Sequence, residues 1–275
     1  MQDYDVKVEK LKEMMAFYAK DNILVAFSGG ADSGLILKMA QEAAEKTKST
    51  VYGMFLHTML HPAGEDERAR KIADEIGAVF KVLKIDELQE ADIEYNPEDR
   101  CYRCKKYLFQ SILKESQKLF AGVVMEGTNE DDLKAYRPGI RAVKELGIIS
   151  PLAEAGLTKE EVRRLAAEYG LSVSDKPAAP CLATRFPYGT RLSKEALQRV
   201  EQGEAMLKEQ GFYNVRLRVH ERIARIEVDS KDLQAAVDQR KAIVNGLKKL
   251  GYTYVTLDLE GFRSGSMDVD MRALF

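Results

Sequence analysis

A short apolar run, Ile23-Leu-Val-Ala-Phe27, stops on Ser28-Gly29-Gly30-Ala31-Asp32-Ser33, and residues at helical spacing follow from Ser33 to about Lys46. An unbroken apolar strand is one buried on both faces, which a parallel sheet between helices provides and a half-exposed antiparallel sheet does not. Two glycines between strand and helix let backbone N–H groups come close to a ligand. The first helical turn there has unpaired amides and the positive end of the dipole. With hydroxyls from Ser28 and Ser33 added, this turn fits a pyrophosphate. It lacks both the Gly-Lys-Ser/Thr ending of a Walker loop and the spaced glycines of a dinucleotide fold, which disfavours kinases, GTPases and dehydrogenases.

The same grammar continues: strand 51–56, helix 65–76, strand 79–85, helix 105–119 and strand 121–125. A short segment at 148–150 and a helix at 159–169, capped by Thr158 with Glu161 in the capping-box position, follow. This predicts an α/β domain over residues 1–171. Residues 172–192, rich in Ser, Pro, Gly and Thr, read as a functional loop and linker. From residue 193 to 275 the pattern is helix to about 210, strands 215–219 and 223–228, helix 233–250 and strand 254–259, a smaller α+β domain.

The 275 residues carry 42 basic and 44 acidic side chains, a formal net charge of -2. Long-range attraction to nucleic acid or to an anionic membrane is therefore not the organising feature, and any anion site is local. No apolar run approaches the roughly 20 residues of a membrane span, and residues 1–21 lack a signal-peptide core, so a cytoplasmic protein is expected. Its cysteines are Cys101, Cys104 and Cys181. An odd count in a reducing compartment suggests free thiols, a metal site or catalysis, with bland buried cysteines as the alternative. On the strand pair near 215–228, alternation puts Arg216, Arg218 and His220 on one face. Such a face, aided by Arg263, suits a phosphate monoester, or is simply a solvated charged strand.

Ser-Gly-Gly-X-Asp-Ser after a first strand resembles the loop of the PP-loop ATP pyrophosphatase superfamily. Gly127-Thr128-Asn129-Glu130-Asp131-Asp132, followed by Tyr136-Arg137-Pro138-Gly139, resembles its second active-site loop. The resemblance implies cleavage of ATP between the α and β phosphates to adenylylate a substrate oxygen. ATP would sit against Ser28, Gly29, Gly30, Asp32, Ser33, Gly127, Asn129 and Arg137, and Asp32 would hold Mg²⁺. With the Cys181 loop ending Arg185-Phe-Pro-Tyr-Gly189 and the tail Tyr252 to Gly265, the chain is similar over nearly its whole length to the LarE family. That family consists of ATP-dependent sulfur transferases that thiolate pyridinium-3,5-biscarboxylic acid mononucleotide on the way to the nickel-pincer nucleotide, the lactate racemase cofactor.

By that resemblance Arg216, Arg218 and Arg263 grip the substrate phosphate and Cys181 is the reactive cysteine. Family members with a single active-site cysteine give up its sulfur. This chain also has Cys101 and Cys104, and so looks like the variant whose three thiolates hold a [4Fe-4S] cluster that carries sulfide, reloaded by a sulfide or persulfide donor. Lys105 or Lys106 could steady charge developing on the substrate. The family's hexamers imply a homo-oligomer. Three rivals remain: a tRNA thiolase, an ammonia-using amidotransferase of the NAD-synthetase kind, and a nucleotide-binding regulatory or scaffold protein without turnover.

Overall fold

The computed structural model describes residues 3–61, 64–134, 137–172, 181–263 and 266–267. Tyr136 of the second loop motif, residues 173–180 of the linker, and Ser264 and Gly265 of the tail lie outside them. The chain forms two compact units, residues 1–93 with 99–179, and residues 94–98 with 180–275.

The first unit is built on β1 (Asn22–Ala26), β2 (Val51–His57), β3 (Val79–Lys84) and β4 (Ala121–Met125), all parallel in the order β3-β2-β1-β4. β1 is central, with Ile23 paired to Val51 on one side and Val123 on the other. Ile23, Leu24 and Val25 are fully buried, which is why the run shows no polar alternation. Ile23 and Val25 face one cluster with Leu35 and Ile36 of helix Ala31–Thr47 and Leu165 of helix Lys159–Glu168. Leu24 faces the opposite cluster with Phe109 and Ile112 of helix Arg100–Lys118. Truncating any of these leucines or isoleucines to alanine would cost about 2–5 kcal/mol. The α/β parallel-sheet expectation therefore holds, and the capping box at Thr158 is present.

Two helices depart from the sequence reading. The helix expected to start at Lys105 begins at Arg100, so Cys101 and Cys104 lie inside its first turns and not ahead of it. Its cap, Asp99, makes no side-chain cap hydrogen bond, and its polar first turns carry no apolar periodicity to detect. Helix Asp3–Tyr18, which the sequence reading passed over, buries Tyr4, Val8, Leu11 and Met15 between charged positions.

The second unit has β5 (Val215–His220) antiparallel to β6 (Ile223–Val228), and β7 (Tyr254–Leu257) parallel to β6. The helix expected over 233–250 is broken at Gln239 into Leu233–Asp238 and Arg240–Lys249. Helix Lys194–Glu209 approaches this sheet through Gly203, where a Cβ would lie 2.5 Å from Leu217 and 3.2 Å from Leu247. Residues 94–98 join this unit by backbone contact: the Leu192 N–H donates to the Glu94 carbonyl at 2.7 Å. The Asn96 amide donates to the carbonyls of Phe186 and Pro187 at 3.1 and 2.8 Å. Among the described residues, no helix is long and apolar enough to cross a membrane.

Candidate active site

β2 and β3 lie on one side of β1 and β4 on the other, so the loops leaving β1 and β4 diverge at the carboxyl edge of the sheet. Open parallel sheets bind ligands at such a switch point. In the first loop Gly29 has φ +71°, and a Cβ there would lie 3.2 Å from Ala69 Cα, so both conformation and space require glycine. The Ser28 N–H donates to Ser33 Oγ at 3.2 Å, and the two hydroxyls are also 3.2 Å apart. Gly30 begins the helix without any side-chain cap, leaving its first-turn amides to an outside acceptor. An exposed Ser28 hydroxyl, a close-approach glycine and an uncapped helix start together suit a polyphosphate.

The second loop is pressed onto the first. A Cβ at Gly127 would lie 3.0 Å from Ser33 N and 3.1 Å from Asp32 Cβ. Asn129, 2% exposed, donates from Nδ2 to Asp32 Oδ1 at 3.4 Å, while its Oδ1 accepts from the N–H groups of Asp131 and Asp132 at 3.0 and 3.2 Å. The other Asp32 oxygen is ion-paired with Lys159 Nζ, from the start of helix Lys159–Glu168. The Lys159 N–H is held by Asp131 Oδ2 at 2.8 Å. Arg137 lies on the rim, 59% exposed and 2.8 Å from Asp132. Sequence reading brought Asp32, Gly127 and Asn129 to one place but missed Lys159. A lysine after a capping threonine looks like any solvated residue, and only its nearness to Asp32 in space marks it out.

Glu126, also missed, follows β4 directly as a buried carboxylate. Lys105 Nζ is 3.1 Å away, Ser150 Oγ donates at 2.6 Å and the Thr128 N–H at 3.0 Å. Burial pushes its pKa up, but the Lys105 charge and these hydrogen bonds outweigh that and hold it below the usual carboxylate range. Lys105 is therefore engaged within the loop after β4. Lys106 turns elsewhere, to the Tyr102 hydroxyl at 2.8 Å and Glu145 at 3.1 Å. Cys101 is exposed and Cys104 partly so, three residues apart on one side of helix Arg100–Lys118. Gly139, the end of the Arg137-Pro138-Gly139 motif, lets its helix close on this one: a Cβ there would lie 2.9 Å from Lys105 Cδ and 3.5 Å from the Cys101 carbonyl.

In the second unit, Cys181 opens the short helix Leu182–Arg185, and its carbonyl accepts from Thr184 Oγ1 at 2.8 Å and Arg185 at 3.1 Å. Buried Arg185 forks onto Glu204 at 2.8 and 3.0 Å. Arg218 is equally buried, bound to Glu227 at 2.9 Å and to the Thr184 carbonyl at 2.9 Å, so its donors are engaged within the protein. Arg216 differs. It stacks 5.0 Å from the Phe262 ring and donates to Asn214 and the Val215 carbonyl, and among the described residues no carboxylate pairs with it. Burial and the charges of Arg185 and Arg218 hold its pKa below the ordinary arginine value. Arg263 reaches Asp258 and Glu260 at 3.7 and 2.6 Å, and the buried Nε atoms of Arg225 and Arg263 have no hydrogen-bond partner among the described residues. A partly buried guanidinium that no carboxylate among the described residues pairs with is an environment that an incoming anion would relieve.

These residues fit a nucleotide at the first loop by the cradle that Gly29, Gly30 and Gly127 leave open. They fit a divalent ion at Asp32 only when Lys159 yields. For iron the fit is of donor chemistry, since Cys101, Cys104 and Cys181 offer thiol sulfur that no disulfide takes up among the described residues. Within either unit, among the described residues, no three His, Cys, Asp or Glu side chains converge as a metal-holding group.

A family model described as NAD synthase matches residues 4–100. An uncharacterised protein of Synechocystis is 38% identical over 94% of this chain and 97% of its own length. The pyridinium-3,5-bisthiocarboxylic acid mononucleotide synthase of Lactiplantibacillus plantarum is 36% identical over 90% of this chain and 88% of its own. A tRNA-specific 2-thiouridylase of Rickettsia felis is 28% identical over 58% of this chain and 52% of its own. With the interlocked loops at the sheet's switch point and this near-full-length similarity, the chain belongs to the LarE family of PP-loop proteins, that of the pyridinium-3,5-bisthiocarboxylic acid mononucleotide synthase.

Proposed function

We propose that this chain is an ATP-dependent sulfur transferase that converts the carboxylates of pyridinium-3,5-biscarboxylic acid mononucleotide to thiocarboxylates. The observation that carries the reading is the pressing of the Gly127–Asn129 loop onto Asp32 and Ser33, in a chain 36% identical to the synthase. The Ser28–Ser33 loop holds the ATP phosphates, with Ser28, Gly29, Gly30 and Ser33 donating and Asn129 orienting Asp32. A bound Mg²⁺ supplies charge neutralisation of the leaving pyrophosphate. A substrate carboxylate oxygen attacks the α phosphorus, pyrophosphate leaves, and a sulfur nucleophile then attacks the acyl carbon. AMP departs with the original carboxylate oxygen. Lys105, held by Glu126, steadies charge on the acyl oxygen, and Lys106 acts on it at most indirectly.

Arg216 and Arg263 hold the substrate phosphate, with Arg218 bracing that surface through Glu227. Cys101, Cys104 and Cys181 would hold a [4Fe-4S] cluster as thiolates. When bound, such a cluster supplies an open iron able to carry the sulfur to be transferred. Anaerobic protein with about four irons per chain, lost in Cys101→Ala, supports this ligand set; iron-free protein after reconstitution removes it and leaves Cys181 as a sacrificial donor.

The decisive assay supplies ATP, Mg²⁺, the pyridinium mononucleotide and sulfide, and reads thiocarboxylate by mass spectrometry alongside AMP. The match of residues 4–100 to the NAD synthase model supports a second reading, amide formation from ammonia. Ammonia replacing sulfide productively, with all three cysteines changed to alanine, decides for it.

A further inference from the structure

Both oxygens of Asp32 are engaged. Oδ1 accepts from Asn129 Nδ2 at 3.4 Å, and Oδ2 is paired with the Lys159 ammonium. Lys159 stands on a fixed base. Its N–H donates to Asp131 Oδ2 at 2.8 Å, the Thr158–Glu161 capping box closes the same turn, and Glu161 is tied to Lys7 at 3.0 Å. Beyond that base its four-carbon stem is flexible and its side chain is 37% exposed, so the ammonium can move while the backbone stays put.

This arrangement opposes a divalent ion at Asp32 while no nucleotide is present. A hard cation takes carboxylate oxygens as ligands, and here it would have to displace a like-charged ammonium from one of them. A polyphosphate reverses the balance. It brings several negative charges to the adjoining Ser28–Ser33 loop, draws the ammonium across, and frees Asp32 for the ion that accompanies it. We infer that Lys159 is an electrostatic latch on Asp32, closed onto the carboxylate in the absence of nucleotide and transferred to the phosphates when ATP binds, so that divalent metal enters with the nucleotide and not ahead of it. The inference rests on the reading of Ser28–Ser33 as the site of the ATP phosphates.

Manganese binding, followed by the paramagnetic resonance of the free ion, tests the latch without any sulfur chemistry. Wild type, Lys159→Met and Lys159→Gln are titrated with Mn²⁺ alone and with ATP. Loss of the latch should tighten Mn²⁺ binding without nucleotide by about tenfold or more in both variants, within the usual range of coupling between sites. That gain should vanish when Asp32→Asn is added, and metal-free ATP affinity should fall by about tenfold in Lys159→Met. Nucleotide-free Mn²⁺ affinity equal to wild type in both variants would overturn the inference. So would a gain that survives Asp32→Asn, or unchanged metal-free ATP affinity. A wild-type chain that binds no ATP would instead remove the nucleotide reading of the loop, and the Mn²⁺ titration would still decide whether Lys159 guards Asp32.

Discussion

Replacing Gly127 by alanine should separate the two loops that the nucleotide reading requires together. The added Cβ would lie 3.0 Å from Ser33 N, 3.1 Å from Asp32 Cβ and 3.4 Å from Asp32 C. Two of the three atoms are backbone, and the helix they begin is fixed by Leu35 and Ile36, both fully buried, so no side chain can simply rotate away. The loops must part by a few tenths of an ångström. Overpacking of this kind costs about 1–3 kcal/mol, which for a protein of this size lowers the melting temperature by about 2–10 °C. The Asn129 to Asp32 hydrogen bond, at 3.4 Å, is already near its limit and breaks first. Losing a hydrogen bond to a charged group, about 1.5 kcal/mol or more, corresponds to roughly tenfold weaker ATP binding. Calorimetric melting and isothermal titration with Mg-ATP measure the two effects. Gly30→Ala is the contrast: its φ is -92° and its Cβ would meet only Ser28 Oγ, at 3.5 Å. It should melt near wild type yet bind ATP more weakly, because the methyl occupies the approach to the helix amides. Wild-type melting and ATP affinity in Gly127→Ala would refute the reasoning.

Other perturbations follow from the same geometry. Glu204→Gln removes the buried carboxylate onto which Arg185 forks and should destabilise the second unit by about 3–5 kcal/mol, read as a lower denaturant midpoint. Burial raises the pKa of Glu87, which is fully buried, its Oε2 without a hydrogen-bond partner among the described residues. A raised folded-state pKa means its stabilisation is complete below the unfolded value near about 4.3 and is lost as pH climbs through the folded value. Glu87→Gln should therefore raise the melting temperature at pH 8 and not at pH 4; an equal gain at both would exclude ionisation as the cause. Arg216→Met should weaken binding of the pyridinium mononucleotide about tenfold or more while leaving ATP affinity unchanged, and a parallel fall in both would argue against a separate phosphate site.

Much of the first unit was legible because a buried parallel strand writes itself as an unbroken apolar run. Ile23 to Phe27 and the segment 121–125 needed no tertiary information, and neither did the glycine turn between β1 and its helix. Thr158 and Glu161 announced their helix by spacing alone. The misses share a cause. Arg100 to Lys105 begin a helix with polar residues and an inert cap, and Tyr4, Val8, Leu11 and Met15 sit among so many charges that their common face is diluted. Lys159 and Glu126 act through partners that are distant in sequence, Asp32 and Lys105, which no local pattern encodes. Arg218 shows a limit of another kind. Strand alternation correctly puts it on the face with Arg216, but alternation cannot tell that Glu227, across the β5–β6 pair, and the Thr184 carbonyl take up its donors.

The fate of the substrate's carboxylate oxygen tests the central claim most directly. Pyridinium-3,5-biscarboxylic acid mononucleotide labelled with heavy oxygen in its carboxylates is incubated with the protein, ATP, Mg²⁺ and sulfide, and the AMP is analysed by mass spectrometry. Transfer of one label into AMP for each thiocarboxylate formed is the predicted result. Label confined to the substrate, or AMP formed without it while the thiocarboxylate accumulates, would contradict activation of the carboxylate by adenylylation.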